Sequence, residues 1–260
     1  MIVICGSLRC GFESLYKMIK NNREKRKEKK KEEIKIVPYL IFEPEKYSDY
    51  IRNSKRIAVI LRKPDERAFS MWKKNLQDGI EWLDFERAIA YEQKRFYNLK
   101  EKQISWRYLY FRGGIYSEWL NKTKSVMGAK YFEQKVRIFP FEYIKNGEEK
   151  FLDFIGLSGV KMIHENKSIL PAFPKFQFLI TRIQQIAEEK IENELYRILI
   201  TKMVLQIKNI NIWIQNKFKI NKLETDISTK ATIDFIRYAY KDEIERLRYD
   251  HPSLSIWEKN

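Results

Sequence analysis

Short apolar runs alternate with segments of helical periodicity over the first 160 residues of the chain. Residues 2–5 form an apolar, β-branched run that ends at a turn with two glycines, after which Leu15, Met18 and Ile19 recur at helical spacing. The run RIAVIL at residues 56–61 is apolar from its second residue onward, which is typical of a strand buried on both faces of a parallel sheet. The same signals predict further strands at 34–42 and 136–139, and helices at 47–53, from about 65, and at 85–98, 116–125 and 148–155.

The C-terminal third has a different pattern. The segment 176–219 is long, periodic and free of Gly and Pro, which predicts two helices, and 229–248 predicts a further amphipathic helix. Strands that alternate with helices, followed by this helical third, predict a single α/β domain over residues 1–260 with a central parallel sheet flanked by helices. Such folds bind ligands at the carboxyl ends of their strands, so we expect functional residues just after Cys5 and Leu61.

Composition narrows the class of protein. The chain has 260 residues, of which 44% are hydrophobic, and this is enough to bury one good-sized core or two small ones. No window contains the roughly 18 apolar residues that a membrane span needs, and the first ten residues resemble a strand rather than a leader peptide. The two cysteines, Cys5 and Cys10, are too few for a disulfide framework or a zinc site. We therefore expect a cytoplasmic protein without a bound metal.

The charge balance favours anionic partners. The 51 Lys and Arg residues outnumber the 35 Asp and Glu residues, for a net charge of +16. This suits nucleotides, nucleic acids, acidic glycans or anionic lipids, and charge alone does not choose among them. Seven of the nine residues at 23–31 are basic, and we interpret this run as a solvated helix end or loop.

The turn after the first strand has the glycine spacing of a phosphate-binding loop. In such loops, backbone N–H groups and a helix N-terminus hold an anion. A nucleoside-triphosphatase loop would continue with Lys and then Ser or Thr, whereas Phe12 and Glu13 follow here, so hydrolysis of ATP or GTP is not expected. The spacing by itself is equally compatible with an ordinary strand-to-helix turn. The residues of the turn are Gly6, Ser7, Leu8, Arg9, Cys10 and Gly11.

A second candidate anion site follows the RIAVIL strand. Arg62 at the strand end presents a planar fork of donors suited to bidentate phosphate binding. Ser70 lies eight residues later in a predicted helix, and its hydroxyl would reach the same anion if the chain turned back over the ligand at Lys63 and Pro64. The alternative is a surface arginine whose apolar stem lies along the protein, with a neutral helix serine.

Together, these segments resemble the sulfotransferases of the bacterial and Golgi carbohydrate type, which use 3′-phosphoadenosine 5′-phosphosulfate (PAPS). The turn at 6–11 is similar to the family's 5′-phosphosulfate loop. The stretch from Arg62 to Ser70, including Pro64 and Arg67, is similar to its 3′-phosphate motif. The resemblance extends nearly end to end through LDFE at 83–86 with Glu92, Tyr108 and Leu109, GIY at 114–116, FLDFIGL at 151–157, NKS at 166–168 with Pro171, and the tail at 240–257.

The resemblance implies a three-layer, P-loop-like α/β fold and a sulfuryl transfer from PAPS to a hydroxyl or amine of a glycan, lipid or small-molecule acceptor. No metal is required for such a transfer. Arg9 would stabilise the charge that develops on the bridging oxygen, and Arg62 and Ser70 would bind the 3′-phosphate. Lys167 would lie in a loop over the cofactor. The implied cofactor-binding residues are Gly6, Ser7, Leu8, Arg9, Cys10, Gly11, Phe12, Glu13, Arg62, Ser70 and Lys167.

The sequence departs from the family pattern at two places. Phe12 and Glu13 stand where the family has two hydroxyl residues, and a carboxylate that faced the donor would repel it. Only about fifty residues separate the two phosphate motifs, so the segment that lines the acceptor site is short. Glu43, after the predicted second strand, is the candidate general base, with a surface glutamate as the alternative. The two histidines, His164 and His251, are not assigned a role.

Two other functions remain open at the level of sequence. The first is a catalytically degenerate member of the same fold that binds a nucleotide, which the residues at 12 and 13 favour. The second is a basic nucleic-acid-binding protein, which the net charge and aromatic content allow, although no recognised binding motif accompanies them. We therefore do not expect nucleic acid as a partner.

Overall fold

The computed structural model describes residues 1–25, 32–98, 103–160, 169–221 and 226–258. The lysines of the basic run at 29–31, His164 and Lys167 lie outside the described residues.

A four-stranded parallel sheet carries the expected α/β architecture. Its strands lie in the order β2-β1-β3-β4, so the two strands predicted to precede anion sites are neighbours at its centre. The predicted strands at 2–5, 56–61 and 136–139 are confirmed. The strands are β1 (Ile2–Gly6), β2 (Ile34–Ile36), β3 (Arg56–Leu61) and β4 (Val136–Pro140).

The pairing of β1 with β3 depends on a glycine at the end of β1. Gly6 pairs with Ile60, and a Cβ added at Gly6 would lie 1.9 Å from the Ile60 carbonyl oxygen. Immediately after this pair, the backbone N–H of Ser7 donates to the same Ile60 carbonyl at 3.1 Å. The turn after β1 therefore starts at the level of the sheet where β3 ends.

The second strand is shorter than its apolar pattern indicates, so the prediction of a strand over 34–42 is wrong in extent. Val37 still donates its N–H to the Ile4 carbonyl at 2.8 Å. Pro38 then has no N–H to continue a ladder, and the chain turns instead. The apolar residues at 40–42 are buried in these turns, so their pattern reflects packing rather than a strand.

Helices form most of the remaining described chain. The predicted helices at 47–53, 116–125 and 148–155 are confirmed within a few residues, and the segment at 176–219 forms the two helices expected. The helices are α1 (Phe12–Lys25), α2 (Ser48–Asn53), α3 (Pro64–Asp78), α4 (Phe85–Ala90), α5 (Glu92–Asn98), α6 (Tyr116–Met127), α7 (Ala129–Lys135), α8 (Phe141–Asn146), α9 (Glu149–Phe154), α10 (Pro174–Lys190), α11 (Glu194–Phe218), α12 (Ile227–Ala239) and α13 (Lys241–Asp250), with 3₁₀ helices at Gln103–Tyr108, Arg112–Gly114 and Pro252–Glu258.

The single helix predicted at 229–248 is interrupted at Tyr240, which separates α12 from α13. The backbone of Tyr240 has φ −88° and ψ 0°, outside the helical range. Its side chain is buried, and a Cβ added at Gly114 would lie 2.5 Å from its hydroxyl oxygen. Helical periodicity in the sequence does not reveal this tertiary contact.

The chain forms two compact units, and the sheet lies in the first. The core of that unit packs α1 and α9 against the strands through a cluster that includes Ile4, Leu15, Ile60 and Phe151. The second unit contains α10 and α11. The single domain expected from the sequence stays a prediction. The first unit comprises Met1–Arg67, Arg112–Asn166 and Arg237–Asn260, and the second comprises Ala68–Phe111 and Lys167–Ile236.

We predict that Gly6→Ala lowers the free energy of unfolding by at least about 3 kcal/mol, because the new Cβ meets backbone rather than a flexible side chain. Gly159→Ala is the matched control, since Gly159 also has a positive φ (+72°) but no atom within 4 Å of the added Cβ. Its cost should be the backbone strain alone, about 1–2 kcal/mol. Urea unfolding measures both, and equal losses would show that β1 and β3 tolerate greater separation.

Candidate functional site

The turn between β1 and α1 has the backbone shape of an anion-binding loop. Arg9 (φ 73°) and Gly11 (φ 74°) both adopt left-handed conformations, and Arg9 does so despite its Cβ. The first backbone bond of α1 runs from the Leu15 N–H to the Gly11 carbonyl at 3.0 Å. The backbone N–H groups before Leu15 therefore have no acceptor within the helix. The helix dipole also favours an anion at this end.

The side chains of Ser7 and Cys10 lie beneath the loop, not on its surface. Both are fully buried, and Ser7 Oγ lies 2.9 Å from Cys10 Sγ. The hydroxyl oxygen of Tyr116, at the start of α6, lies 3.1 Å from Ser7 Oγ and 2.7 Å from the carbonyl oxygen of Arg62. These contacts form one buried hydrogen-bond chain, here called the Tyr116 bridge, which joins the loop after β1 to the end of β3.

The direction of the Tyr116 bridge follows from its proton inventory. The Arg62 carbonyl can only accept, so the single hydroxyl proton of Tyr116 goes to it. Ser7 Oγ lies beside both Tyr116 and Cys10, and either Ser7 Oγ or Cys10 Sγ can be the donor in the contact between these two residues. Burial raises the pKa of Tyr116, which keeps its proton in place.

Cys10 also remains protonated. Burial raises the pKa of its thiol to about 11, although the hydrogen bond with Ser7 and the charges of Arg62 and Arg67 lower it in part. Cys5 is likewise a free, buried cysteine. At neutral pH, Cys10 is therefore a hydrogen-bond donor and not a nucleophilic thiolate.

Arg62 leaves β3 as predicted, and its side chain is 22% exposed. Its Nε and Nη2 atoms lie 3.3 and 3.2 Å from one oxygen of Glu66, and its guanidinium lies 5.0 Å from the ring centroid of Phe141. A contact with one carboxylate oxygen, four residues away on a partly exposed helix, contributes only about 0.3–0.5 kcal/mol. A phosphate that offered two oxygens would compete well with it.

Arg67 is a second cation near the Tyr116 bridge. It is 1% exposed, and a Cβ added at Gly113 would lie 2.8 Å from its Nη2 atom. Its charge lowers the pKa values of Cys10 and Tyr116, which burial raises more strongly. Its sequence signal is an arginine five positions after a strand-end arginine, within the stretch that resembles the 3′-phosphate motif.

The other predicted residues have different settings. Ser70 is buried in α3, and its role stays a prediction. Phe12 and Glu13 open α1, where the Glu13 side chain is exposed, and both line a surface depression with neighbouring residues of the helix. Leu8 and Arg9 are half-buried. The loop residues therefore lie together around one turn, and the buried side chains of Ser7 and Cys10 pack beneath it.

Glu43 does not directly follow a strand, because β2 ends at Ile36. Its carboxylate lies 3.6 Å from Lys46, and its role as a base stays a prediction.

Sequence reasoning missed a second carboxylate, Glu142, which follows the last strand. Burial raises the pKa of Glu142, and Trp257 donates its indole N–H to the carboxylate at 3.3 Å. Its position just past the end of β4 was the signal that could have identified it.

Two further searches concern metals and membranes. Among the described residues, no group of three or more His, Cys, Asp or Glu side chains could hold a metal ion. In the same part of the chain, no helix has both the length and the apolar character needed to span a membrane.

Comparison with known proteins gives little further information. No family model matches the chain, and no curated protein matches it. The crystal structure of a sulfotransferase from Alicyclobacillus acidocaldarius is similar, with a TM-score of 0.47 and 16% identity over 80% of this chain and 95% of that one. A likeness of this strength carries no argument about this chain.

We predict that Tyr116→Phe lowers the free energy of unfolding by about 1–3 kcal/mol, because it removes the donor to the Arg62 carbonyl and a hydrogen-bond partner of the buried Ser7. Tyr131→Phe removes the hydroxyl of a tyrosine that is 58% exposed, and it should change stability by less than about 0.5 kcal/mol. Denaturant unfolding of both variants provides the comparison. Equal stabilities would show that the Tyr116 bridge contributes nothing.

Proposed function

We propose that the chain is a sulfotransferase that transfers a sulfuryl group from PAPS to a hydroxyl or amine of a glycan, lipid or small-molecule acceptor. The observation that carries this proposal is the Tyr116 bridge between the loop after β1 and the Arg62 backbone. It makes a single buried unit of the two segments whose sequences resemble the phosphosulfate and 3′-phosphate motifs. Two anionic groups on one nucleotide would require both segments at one edge of the sheet.

The residues present are compatible with such a nucleotide. Arg62 is partly exposed and has a weak partner in Glu66 of α3, and the buried Arg67 adds positive potential near the Tyr116 bridge. The first turn of α1 adds the N–H groups and dipole of a helix N-terminus. Glu13 is exposed, so its carboxylate has room to lie in solvent.

The proposed mechanism depends on positioning and charge. Bound PAPS would supply an activated sulfuryl group. In the proposal, the backbone of residues 6–13 holds the phosphosulfate, and Arg9 stabilises the negative charge on the leaving oxygen. Arg62, Ser70 and Lys167 bind the 3′-phosphate end and cover the nucleotide.

The acceptor must lose a proton, and two carboxylates are candidates for taking it. Glu43 is the one expected from the sequence. Burial raises the pKa of Glu142, which makes its carboxylate a stronger base than an exposed one. Glu43→Gln and Glu142→Gln, assayed with the same acceptor, separate the two by their effects on kcat.

A catalytically degenerate nucleotide-binding protein is the second candidate. The observation that favours it is the absence of hydroxyl side chains at Phe12 and Glu13, which begin α1. A cytoplasmic location belongs to the same set of proposals, and the two free cysteines are compatible with it.

Two measurements test the proposed function. Calorimetry should detect binding of 3′,5′-adenosine diphosphate and much weaker binding of 5′-AMP, which lacks the 3′-phosphate. A screen of acceptors with labelled PAPS should then detect transfer. Binding without transfer to any acceptor favours the degenerate protein, and no preference for the 3′-phosphate would contradict the PAPS-dependent transfer.

We predict that Arg62→Ala weakens binding of 3′,5′-adenosine diphosphate by about 10- to 150-fold, the equivalent of about 1.5–3 kcal/mol for a charge-assisted contact. Arg62→Lys should recover only part of the loss, because an ammonium cannot form a bidentate contact. Arg52→Ala is the control, since the Arg52 side chain is 72% exposed and pairs with Asp49. Unchanged affinity in Arg62→Ala would remove this residue from the site.

We predict that replacing Phe12 and Glu13 together by Thr preserves or strengthens binding of the same nucleotide. The change adds two hydroxyl donors at the helix N-terminus and removes one negative charge. Glu245→Thr removes an exposed carboxylate from α13 and should leave affinity unchanged. Weaker binding with Thr at both positions would show that the nucleotide does not lie at this loop.

A further inference from the structure

The hairpin of α10 and α11 has a polar interior. The two helices pack together, and their cross-contacts run in opposite directions along the chain, so the helices are antiparallel. The contacts are Asn211 Nδ2 to Gln177 Oε1 at 2.9 Å, Lys208 Nζ to Gln184 Oε1 at 3.4 Å, and Thr201 Oγ1 to Glu188 Oε1 at 3.4 Å. This arrangement is the reverse of a usual helix pair, which buries its apolar side chains between the helices.

Four large apolar residues of α10 lie on its exposed surface, whereas Ile180 is buried. They recur at spacings of three, four and three residues, which is the seam pattern of a helix that packs against other helices. They are Phe176 (47% exposed), Leu179 (56%), Ile183 (52%) and Ile186 (52%).

A similar stripe runs along α11. Around the axis of α11, this stripe lies roughly a third of a turn away from the buried positions Val204, Asn211 and Gln215. The stripe of α10 is rotated in the same direction from the buried side of that helix. Because the helices are antiparallel, the two stripes face the same side of the hairpin. The members are Leu199 (53% exposed), Met203 (51%), Ile207 (37%), Ile210 (56%) and Trp213 (55%).

These nine side chains, here called the apolar face, are large enough to form an interface. They expose on the order of 800 Å², if each fully exposed side chain contributes roughly 150–250 Å² and about half of that is accessible. The largest apolar patch of an ordinary monomer is about 300–600 Å². One partner in a stable interface buries about 800 Å².

The charges at the two ends of the hairpin indicate which partner the apolar face would bind. At the turn end, residues 188–194 contain four glutamates and one lysine. At the open end, residues 173–179 and 214–221 contain Lys175, Lys217 and Lys219 and no acidic residue. Two hairpins related by a two-fold axis perpendicular to the helices would place each acidic end on the basic end of the other.

An anionic lipid surface fits this pattern less well. Both helices carry basic residues, as helices that bind such surfaces do, but the four glutamates of the turn end would be repelled. The net charge of +16 opposes self-association in general, but exposed charges are screened beyond about 8 Å at physiological salt.

We propose that the apolar face binds a second copy of this chain, so that two α10–α11 hairpins pack antiparallel as a four-helix layer. This inference is independent of the proposed sulfuryl transfer. Each hairpin buries its apolar face against the other while the polar contacts within each hairpin stay in place.

Sedimentation velocity of the full chain over a range of concentrations tests the interface. The wild type should sediment as a dimer, with twice the 31.6 kDa mass of one chain. The double variant Ile183→Lys with Ile210→Lys should raise the dimer dissociation constant at least about 100-fold, because two lysines would be buried in each apolar face. Tyr249→Lys changes a side chain that is 89% exposed in α13 and should leave the dimer intact.

A charge exchange tests the antiparallel arrangement and does not depend on a core substitution. Glu189→Lys with Glu192→Lys makes the turn end basic, and Lys175→Glu with Lys217→Glu makes the open end acidic. Each double variant should dimerise more weakly alone, and an equimolar mixture of the two should restore the dimer, since opposite charges again meet at both ends.

Three results would overturn the proposal. One is a wild type that remains monomeric at all concentrations. Another is a monomer that co-sediments with vesicles of phosphatidylserine and phosphatidylcholine through the apolar face, which would identify lipid as the occupant. The third is a dimer that the Ile183 and Ile210 substitutions do not weaken.

Discussion

The parallel pairing of β1 with β3 is the constraint on which the candidate site depends. Gly6 allows the two backbones to approach within a distance that no Cβ would permit, and Ser7 then bonds to the same carbonyl. The loop after β1 and the arginine after β3 consequently leave the sheet side by side. The Tyr116 bridge holds them there through the buried side chains of Ser7, Cys10 and Tyr116, where an unsatisfied partner would be costly.

This arrangement divides the loop into two layers. Ser7 and Cys10 face inward and support the turn, so their side chains are structural even though their sequence positions belong to a phosphate-binding pattern. The backbone of the loop, the first turn of α1 and the Arg62 side chain supply the groups that an anion could contact. A loop held from beneath is preorganised, and little ordering is required when a ligand binds.

In the second unit, polar side chains meet between two packed helices. Between α10 and α11, amides and charged groups meet, and although Ile180 and Val204 are buried, most of the large apolar residues lie outside. In an isolated chain this pattern leaves hydrophobic surface in water, which opposes the usual driving force of folding. Packing against another apolar surface would remove that cost.

Much of the fold could be predicted because it is encoded locally. The continuous apolar run at 56–61 and the glycine-bounded run at 2–5 are strands, and the long segment without Gly or Pro is two helices. Two predictions failed, one because of a proline within the predicted strand and one because of a distant contact. The apolar pattern at 40–42 packs in turns after Pro38, and the helix at 229–248 is interrupted where Tyr240 packs beside Gly114.

The sequence by itself determined which residues carry charge, where the glycines allow a tight loop, and that Arg62 follows a buried strand, because these properties depend on a residue and its close neighbours. Only the tertiary structure decided that Tyr116, more than a hundred residues from Ser7, joins the loop to Arg62. It also decided that the stripes of α10 and α11 face outward. Periodicity shows that a helix has an apolar stripe. The direction in which the stripe faces depends on which neighbouring side chains pack against the opposite side of that helix.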